Sequence, residues 1–331
     1  MILTSAMVFS MLFSSCSRGA KTNEQYDNSN NKVSVVTSFY VMYDFATKIG
    51  GDKVSVINLL PPGSDPHGWE PSPKDIIKIE NSDIFIYNGA GMEGWVHKVL
   101  DSIKNKELIV LEASSEVDLL KGGHRHENEN KHEEFNHDHE HNNNNEDNHE
   151  VDDLYDPHVW LDPMSAKVQM KAIADTLVDF DSDNADYYMD NFEKYSKELD
   201  KLDQEYRKAL SGFVKRDIVV SHEAFGYLCS SYGLNQIGIS GLDAEAEPTA
   251  SRMVQVADFV KENDIKIIFF DNMVSPRVAS AIADATGAEV GVLNPIASLS
   301  KEEIEEGKDY FAIMRENLNA LIKALADGEN G

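Results

Sequence analysis

Positive charge is what this chain lacks most. Its 331 residues hold 30 Lys and Arg against 58 Asp and Glu, a formal net charge of -28. That balance excludes nucleic acid as a partner, because phosphate recognition needs clustered Lys and Arg. Cysteine is scarce too. Cys16 and Cys229 are the only two. Neither has a metal-type partner nearby, which excludes thiolate zinc sites. The chain has no Walker-type phosphate loop and no His-Glu-x-x-His motif, so it carries neither an ATPase signature nor that peptidase signature. No apolar run is long enough to cross a bilayer.

What the chain has is histidine. Seven of its 11 His residues crowd one tract: His124, His126, His132, His137, His139, His141 and His149. Two more flank that tract in distinctive settings, His67 in Asp65-Pro66-His67-Gly68-Trp69-Glu70-Pro71 and His158 in Asp156-Pro157-His158-Val159-Trp160-Leu161-Asp162-Pro163. Imidazole is the commonest metal ligand and suits zinc, copper, iron and nickel. The pattern therefore reads as a transition-metal protein, and an acidic surface is compatible with attracting cations.

The N-terminus is apolar from Ile2 to Phe13, followed by Ser14-Ser15-Cys16. About a dozen apolar residues fit a signal-peptide core and are too few for a span. Small residues before a Cys resemble a bacterial lipoprotein cleavage site, with Cys16 as the lipidated first residue; one departure is that no Lys or Arg precedes Phe9. Residues 17–32 read as a polar tether. Cys229 is expected as a buried thiol.

From Val33 onward, strands and helices alternate. Strands are expected at Val33–Thr37, Val54–Leu60, Asp83–Tyr87 and Glu107–Leu111, with helices at Phe39–Ile49, after Ser72-Pro73-Lys74-Asp75, and at Glu93–Ile103. Residues 116–153 break the pattern. Residues 121–153 alone hold 11 acids against three bases, so a long mobile loop is expected. A helix over Pro163–Val178 follows, then a long one over Asp183–Gly212. Its apolar stripe runs Tyr188, Phe192, Tyr195, Leu199, Leu202, Tyr206, Ala209, Phe213 without a miss. Alternation then resumes to a final helix capped by Ser300, with Glu303 completing a capping box. The fold class is α/β: two lobes with mainly parallel sheets, residues 33–182 and 215–331, bridged by a helix over 183–214.

His67 and His158 sit at loop or strand-end positions of the first lobe. His222 follows the expected strand Ile218–Ser221 in the second. Ligands of open α/β sheets bind beside the carboxyl ends of strands. The three imidazoles are thus candidate metal ligands at the lobe interface. His97 lies mid-helix and is expected to be solvated or packed.

The chain resembles the metal-receptor subunits of bacterial ABC importers, the zinc/manganese class of solute-binding lipoproteins. The likeness rests on Asp65-Pro66-His67 with Glu70-Pro71-Ser72, on Asn88-Gly89-Ala90-Gly91-Met92-Glu93-Gly94-Trp95, on the segment around His158, and on Ser221-His222-Glu223-Ala224-Phe225-Gly226-Tyr227. It implies two lobes on a rigid spine helix, with His67, His158 and His222 as ligands. It further implies a monomer anchored by lipid outside the cytoplasm, on the outer membrane face or in the periplasm, working with a permease and its ATPase. Manganese members usually offer two His and two carboxylates; three imidazoles favour zinc, and a His-rich loop is a feature of the zinc members. Relatives often carry an acid where Ala297 stands. A fourth ligand is therefore left to water, a loop imidazole, Glu223, Glu245 or Glu247. The resemblance implies a zinc receptor, with a manganese receptor, an adhesion lipoprotein or a zinc hydrolase as alternatives.

Overall fold

A computed structural model describes residues 32–122, 155–242, 246–271 and 275–326. The first lobe is built from β1 (Val33–Thr37), α1 (Tyr40–Gly50), β2 (Val54–Asn58), α2 (Pro73–Glu80), β3 (Ile84–Tyr87), α3 (Val96–Ser102) and β4 (Ile109–Glu112). Its sheet is all parallel, in the order β2-β1-β3-β4. The second lobe repeats that order with β5 (Asp217–Val220), α6 (Gly226–Tyr232), β6 (Asn235–Gly238), α7 (Ala250–Glu262), β7 (Ile267–Phe270), α8 (Arg277–Thr286) and β8 (Glu289–Val292). Its strands run β6-β5-β7-β8, again parallel. In each sheet the chain moves first to one side and then to the other. The switch points lie between β1 and β3 and between β5 and β7, where crevices open at the carboxyl ends.

Helices α4 (Pro163–Phe180) and α5 (Ala185–Leu210) follow the first lobe, and α9 (Lys301–Glu305) and α10 (Tyr310–Ala326) close the chain. Both lobes belong to one compact unit, Lys32–Gly331. The 26-residue α5 is the bridge. Tyr188, Leu199, Leu202 and Tyr206 of its expected stripe are buried, and Phe192, Tyr195, Ala209 and Phe213 pack partly against the same core. One hydrophobic cluster joins α1, α4, α5 and α10 with the inner faces of both sheets. Polar ties fix α5 to both lobes. Asn191 Nδ2 donates to the Ile49 carbonyl at 2.9 Å, and the Tyr206 hydroxyl donates to the Met314 carbonyl at 2.6 Å.

Local signals explain most boundaries. Ser72 caps α2 with Asp75 completing the box and Pro73 in the first turn. Asp162 caps α4 by accepting from the Ser165 N–H, and Thr249 caps α7. Some expectations need correction. The Ser300–Glu303 capping box forms, but on the five-residue α9. Gly307, left-handed at φ 72°, ends that segment, and the final helix starts afresh at Tyr310. Of the loop expected over residues 116–153, residues 123–153 lie outside the described residues, and the part before them packs on the fold. Val117, Leu119 and Leu120 pack against the core, and Lys121 bridges Tyr155. Strand β2 ends at Asn58, and α3 begins at Val96 rather than Glu93.

Candidate metal centre

Three chain segments converge between the lobes. His67 lies in the connection from β2 to α2, where its backbone N–H donates to Asp65 Oδ1 at 2.8 Å. His158 immediately precedes a 3-10 turn, Val159–Leu161, that leads into α4. His222 follows β5, at the switch point of the second sheet. One ligand atom from each of the three lies within 4.8 Å of the others. His67 Nε2 and His158 Nε2 are 3.2 Å apart. Nitrogens bound at about 2.05 Å in a tetrahedral zinc site lie about 3.3 Å from one another. The first two imidazoles therefore stand at ligating separation, and the third needs only a short approach.

Burial and hydrogen bonding set the chemistry of each ring. His158 is fully buried and His222 is 2% exposed, whereas His67 is half-buried. Burial pushes the imidazoles of His158 and His222 well below the ordinary histidine range, and neighbouring His rings add to the shift. Both are thus neutral, the state that can bind metal. Asp156 Oδ1 stands 2.9 Å from His158 Nδ1 and also accepts the His158 backbone N–H at 2.9 Å. That carboxylate selects the tautomer with the proton on Nδ1 and leaves the Nε2 lone pair aimed at His67, as outer-shell carboxylates do in zinc sites. Burial raises the Asp156 carboxyl to about 7, against the pull of the His158 N–H and of His67. Across the interface, Asp271 at the end of β7 places Oδ2 3.8 Å from His222 Nδ1, a nitrogen with no hydrogen-bond partner among the described residues.

Among the described residues, the fourth-ligand candidates Glu223 and Glu247 lie outside the triad. Glu223 is buried, but its side chain lies against Gly238, where an added Cβ would strike it. Its carboxyl is raised by burial, with Arg252 acting in the opposite sense. Glu247 is exposed and outside the group, and Glu245 lies outside the described residues. Ala297 is buried and carries no donor. His97 is exposed on α3, and Cys229 is a free, buried thiol. Cys16 and the tract histidines His124, His126, His132, His137, His139, His141 and His149 lie outside the described residues.

Sequence reasoning missed the groups behind the ligands. Asp156 was in view, two residues before His158, without a role. Gly226 is required by close approach: a Cβ there would collide with Asp156. Asp271 had no signal, since only the β5–β7 pairing brings it beside His222.

Comparison with known proteins identifies the family. The family model described as ZnuA, zinc-uptake complex component A periplasmic, matches residues 35–324. The high-affinity zinc uptake system protein ZnuA of Bacillus subtilis (strain 168) is 39% identical over 315 residues, 95% of this chain and 94% of that protein. The zinc-binding lipoprotein AdcA of Streptococcus pneumoniae (strain ATCC BAA-255 / R6) is 35% identical over 300 residues. That match takes in 91% of this chain and 57% of the streptococcal protein, so the chain spans little more than half of it. The Zn(II)-bound ZnuA-like domain of S. pneumoniae AdcA superposes with a TM-score of 0.73 at 33% identity, covering 89% of this chain and 99% of that domain. Two parallel-sheet lobes on a bridging helix, three imidazoles between them and a family match over residues 35–324 place the chain in the ZnuA family of periplasmic zinc-uptake components.

Proposed function

We propose that the chain is an extracytoplasmic zinc receptor that passes its cargo to an ABC permease, held at the membrane by lipid on Cys16. The observation that carries this reading is the triad of His67, His158 and His222, with ligand atoms within 4.8 Å of one another. Zinc is the cargo because the group is all imidazole; carboxylate and water suit manganese better. Two buried neutral rings and one half-buried ring give the metal an inner seat and an open side. Zinc meets His67 first. It then reaches His158 Nε2, and closes on His222 as the lobes tighten. Binding is reversible, since protons compete with metal for the same lone pairs. Water completes the coordination. Glu223, the acid beside His222, lies against Gly238 and outside the group of ligand atoms, which favours a receptor over a hydrolase.

The test is metal content and titration calorimetry on the chain from Lys21 onward, beside the triple variant His67→Ala/His158→Ala/His222→Ala. One tight zinc per chain, lost in the variant, is expected. Equal tight binding by both proteins would move the metal off the triad and remove the reading's support.

A further inference from the structure

The switch-point crevice of the first lobe supplies no candidate ligand. It is filled by a buried polar network that ends on the His158 loop. Asn88, directly after β3, is fully buried. Its Nδ2 donates to the Gly89 carbonyl at 2.8 Å and to the Pro157 carbonyl at 3.0 Å. Its Oδ1 accepts from Gln169 Nε2 of α4 at 2.8 Å. Two carbonyls on one side and an amide donor on the other fix which way this side chain is turned.

The segment around Asn88 is held just as firmly. Glu93, 6% exposed, accepts the Asn88 N–H at 2.9 Å, the Gly89 N–H at 3.0 Å and the Ser38 hydroxyl at 2.6 Å. Glu112 accepts the Ala90 N–H at 3.4 Å and the Tyr87 hydroxyl at 3.2 Å. Gly89, Ala90 and Gly91 all have positive φ, at 83°, 52° and 87°. A left-handed run that includes a residue with a Cβ persists only where its surroundings over-determine it. Here two carboxylates do so.

The grip on Pro157 matters because of what the next residue does. The peptide joining Pro157 to His158 has one carbonyl and one N–H. The carbonyl is held by Asn88 and by the Val159 N–H at 2.9 Å. The N–H is held by Asp156. Both ends of that peptide plane are therefore pinned, and the ring is pinned again at Nδ1. Binding constellations need their groups held within about 0.5 Å and 10–20°. Rotation of this peptide would swing Nε2 away from His67.

We infer that Asn88 is a positioning residue for metal capture: it locks the Pro157–His158 peptide so that His158 Nε2 faces His67. This rests on His158 being a ligand, as proposed above. Asn88 touches no metal and acts only through His158.

The test is a double-mutant cycle on the full chain, with zinc affinity read by competition against a high-affinity chelator. Asn88→Ala is expected to weaken tight zinc binding about tenfold, the low end for an outer-shell partner. In a His158→Ala background the same substitution should cost nothing further, because the ring it positions is gone. A purely structural role would lower affinity by the same factor in both backgrounds, and that result overturns the inference. So does unchanged affinity in Asn88→Ala while His158→Ala is weakened. Tight binding that survives His158→Ala overturns the ligand assignment itself, and this inference with it. Should Asn88→Ala not fold, Asn88→Asp carries the same cycle: it keeps the size and the acceptor for Gln169 but loses the donor to Pro157.

Discussion

His222→Ala separates the zinc reading from ordinary packing, because zinc-linked stabilisation depends on the ligand and packing does not. In the metal-free protein, His222 is 2% exposed and its Nδ1 has no hydrogen-bond partner among the described residues. A buried polar atom left unpaired costs about 1–3 kcal/mol. Truncating a buried side chain of this size costs about 2–5 kcal/mol. The two partly offset, so the metal-free variant should lose at most about 4 kcal/mol. Zinc changes the balance. Binding energies of about 10–16 kcal/mol shared over four ligands imply about 2.5–4 kcal/mol per ligand, a Kd increase of about 100-fold or more. At free zinc about 1,000 times the parent Kd, linkage stabilises the parent by about 4.1 kcal/mol. With Kd raised about 100-fold, it stabilises the variant by about 1.4 kcal/mol.

The assay is urea unfolding of both proteins with and without chelator-buffered zinc. A difference of about 2.7 kcal/mol in zinc-linked stabilisation is expected. Zinc held by other histidines cancels between the two proteins. Acid provides an independent arm. The folded pKa of His222 is depressed by burial, so its contribution to metal-free stability is present above about 6.5 and is lost as pH falls below that value. The variant lacks this group and should lose stability less steeply there. Equal zinc-linked stabilisation in both proteins would refute the assignment of His222 as a ligand.

Two further predictions concern the scaffold and the His-rich tract. Lys48→Met removes the cation that sits 2.6 Å from buried Asp44 and 3.0 Å from Asp309, and should cost about 3–5 kcal/mol, with Asp44→Asn in the same chain restoring most of it. Burial raises the Asp44 carboxyl and Lys48 opposes it. A raised carboxyl stabilises below its usual value near 3.8 and ceases to do so as pH rises through the folded pKa. Without Lys48 that pKa rises further, so the deficit should grow from acid to neutral pH; a pH-independent deficit in urea midpoints would sink this account. If the seven tract histidines capture zinc weakly and pass it to the cleft, deleting residues 123–150, which spares the Lys121–Tyr155 bridge, should leave one tight zinc and remove weaker sites in calorimetry, and loss of the tight site would refute that role.

The two-lobe fold was legible because its signals are local. Strand runs such as Ile84–Tyr87, caps such as Ser72 with Asp75, and the unbroken stripe on α5 each lie within a few turns of chain. Errors arose where composition hid a local exception. Val117, Leu119 and Leu120 were averaged into an acidic window, yet they pack on the core. Gly307 lay inside an expected helix and ended it by turning left-handed. The triad was legible for a different reason. Each His stands in a loop or at a strand end, where α/β folds place ligand contacts, and the three meet between the lobes. Glu223 is adjacent to His222 in sequence, yet its side chain lies against Gly238 while His222 joins the triad. Asn88 and Pro157 are 69 residues apart, and no periodicity or cap links them.

The gradient of exposure across the triad decides how such a site can both hold and release its cargo. His158 is pinned by Asp156 and by Asn88 through the backbone, so it cannot swing. His222 is buried against the second lobe and moves only with that lobe. His67 alone is half-buried, on a connection whose Gly63 N–H donates at 3.0 Å to both the Leu299 carbonyl and the Ser298 hydroxyl across the interface. On the zinc reading, separating the lobes breaks these Gly63 contacts and the His222 bond together. It leaves zinc on two imidazoles, His67 and His158, beside solvent. A protein acid at Ala297 would hold the ion from the second lobe by charge as well as by coordination; a neutral residue there leaves one fewer bond to break when cargo is handed on.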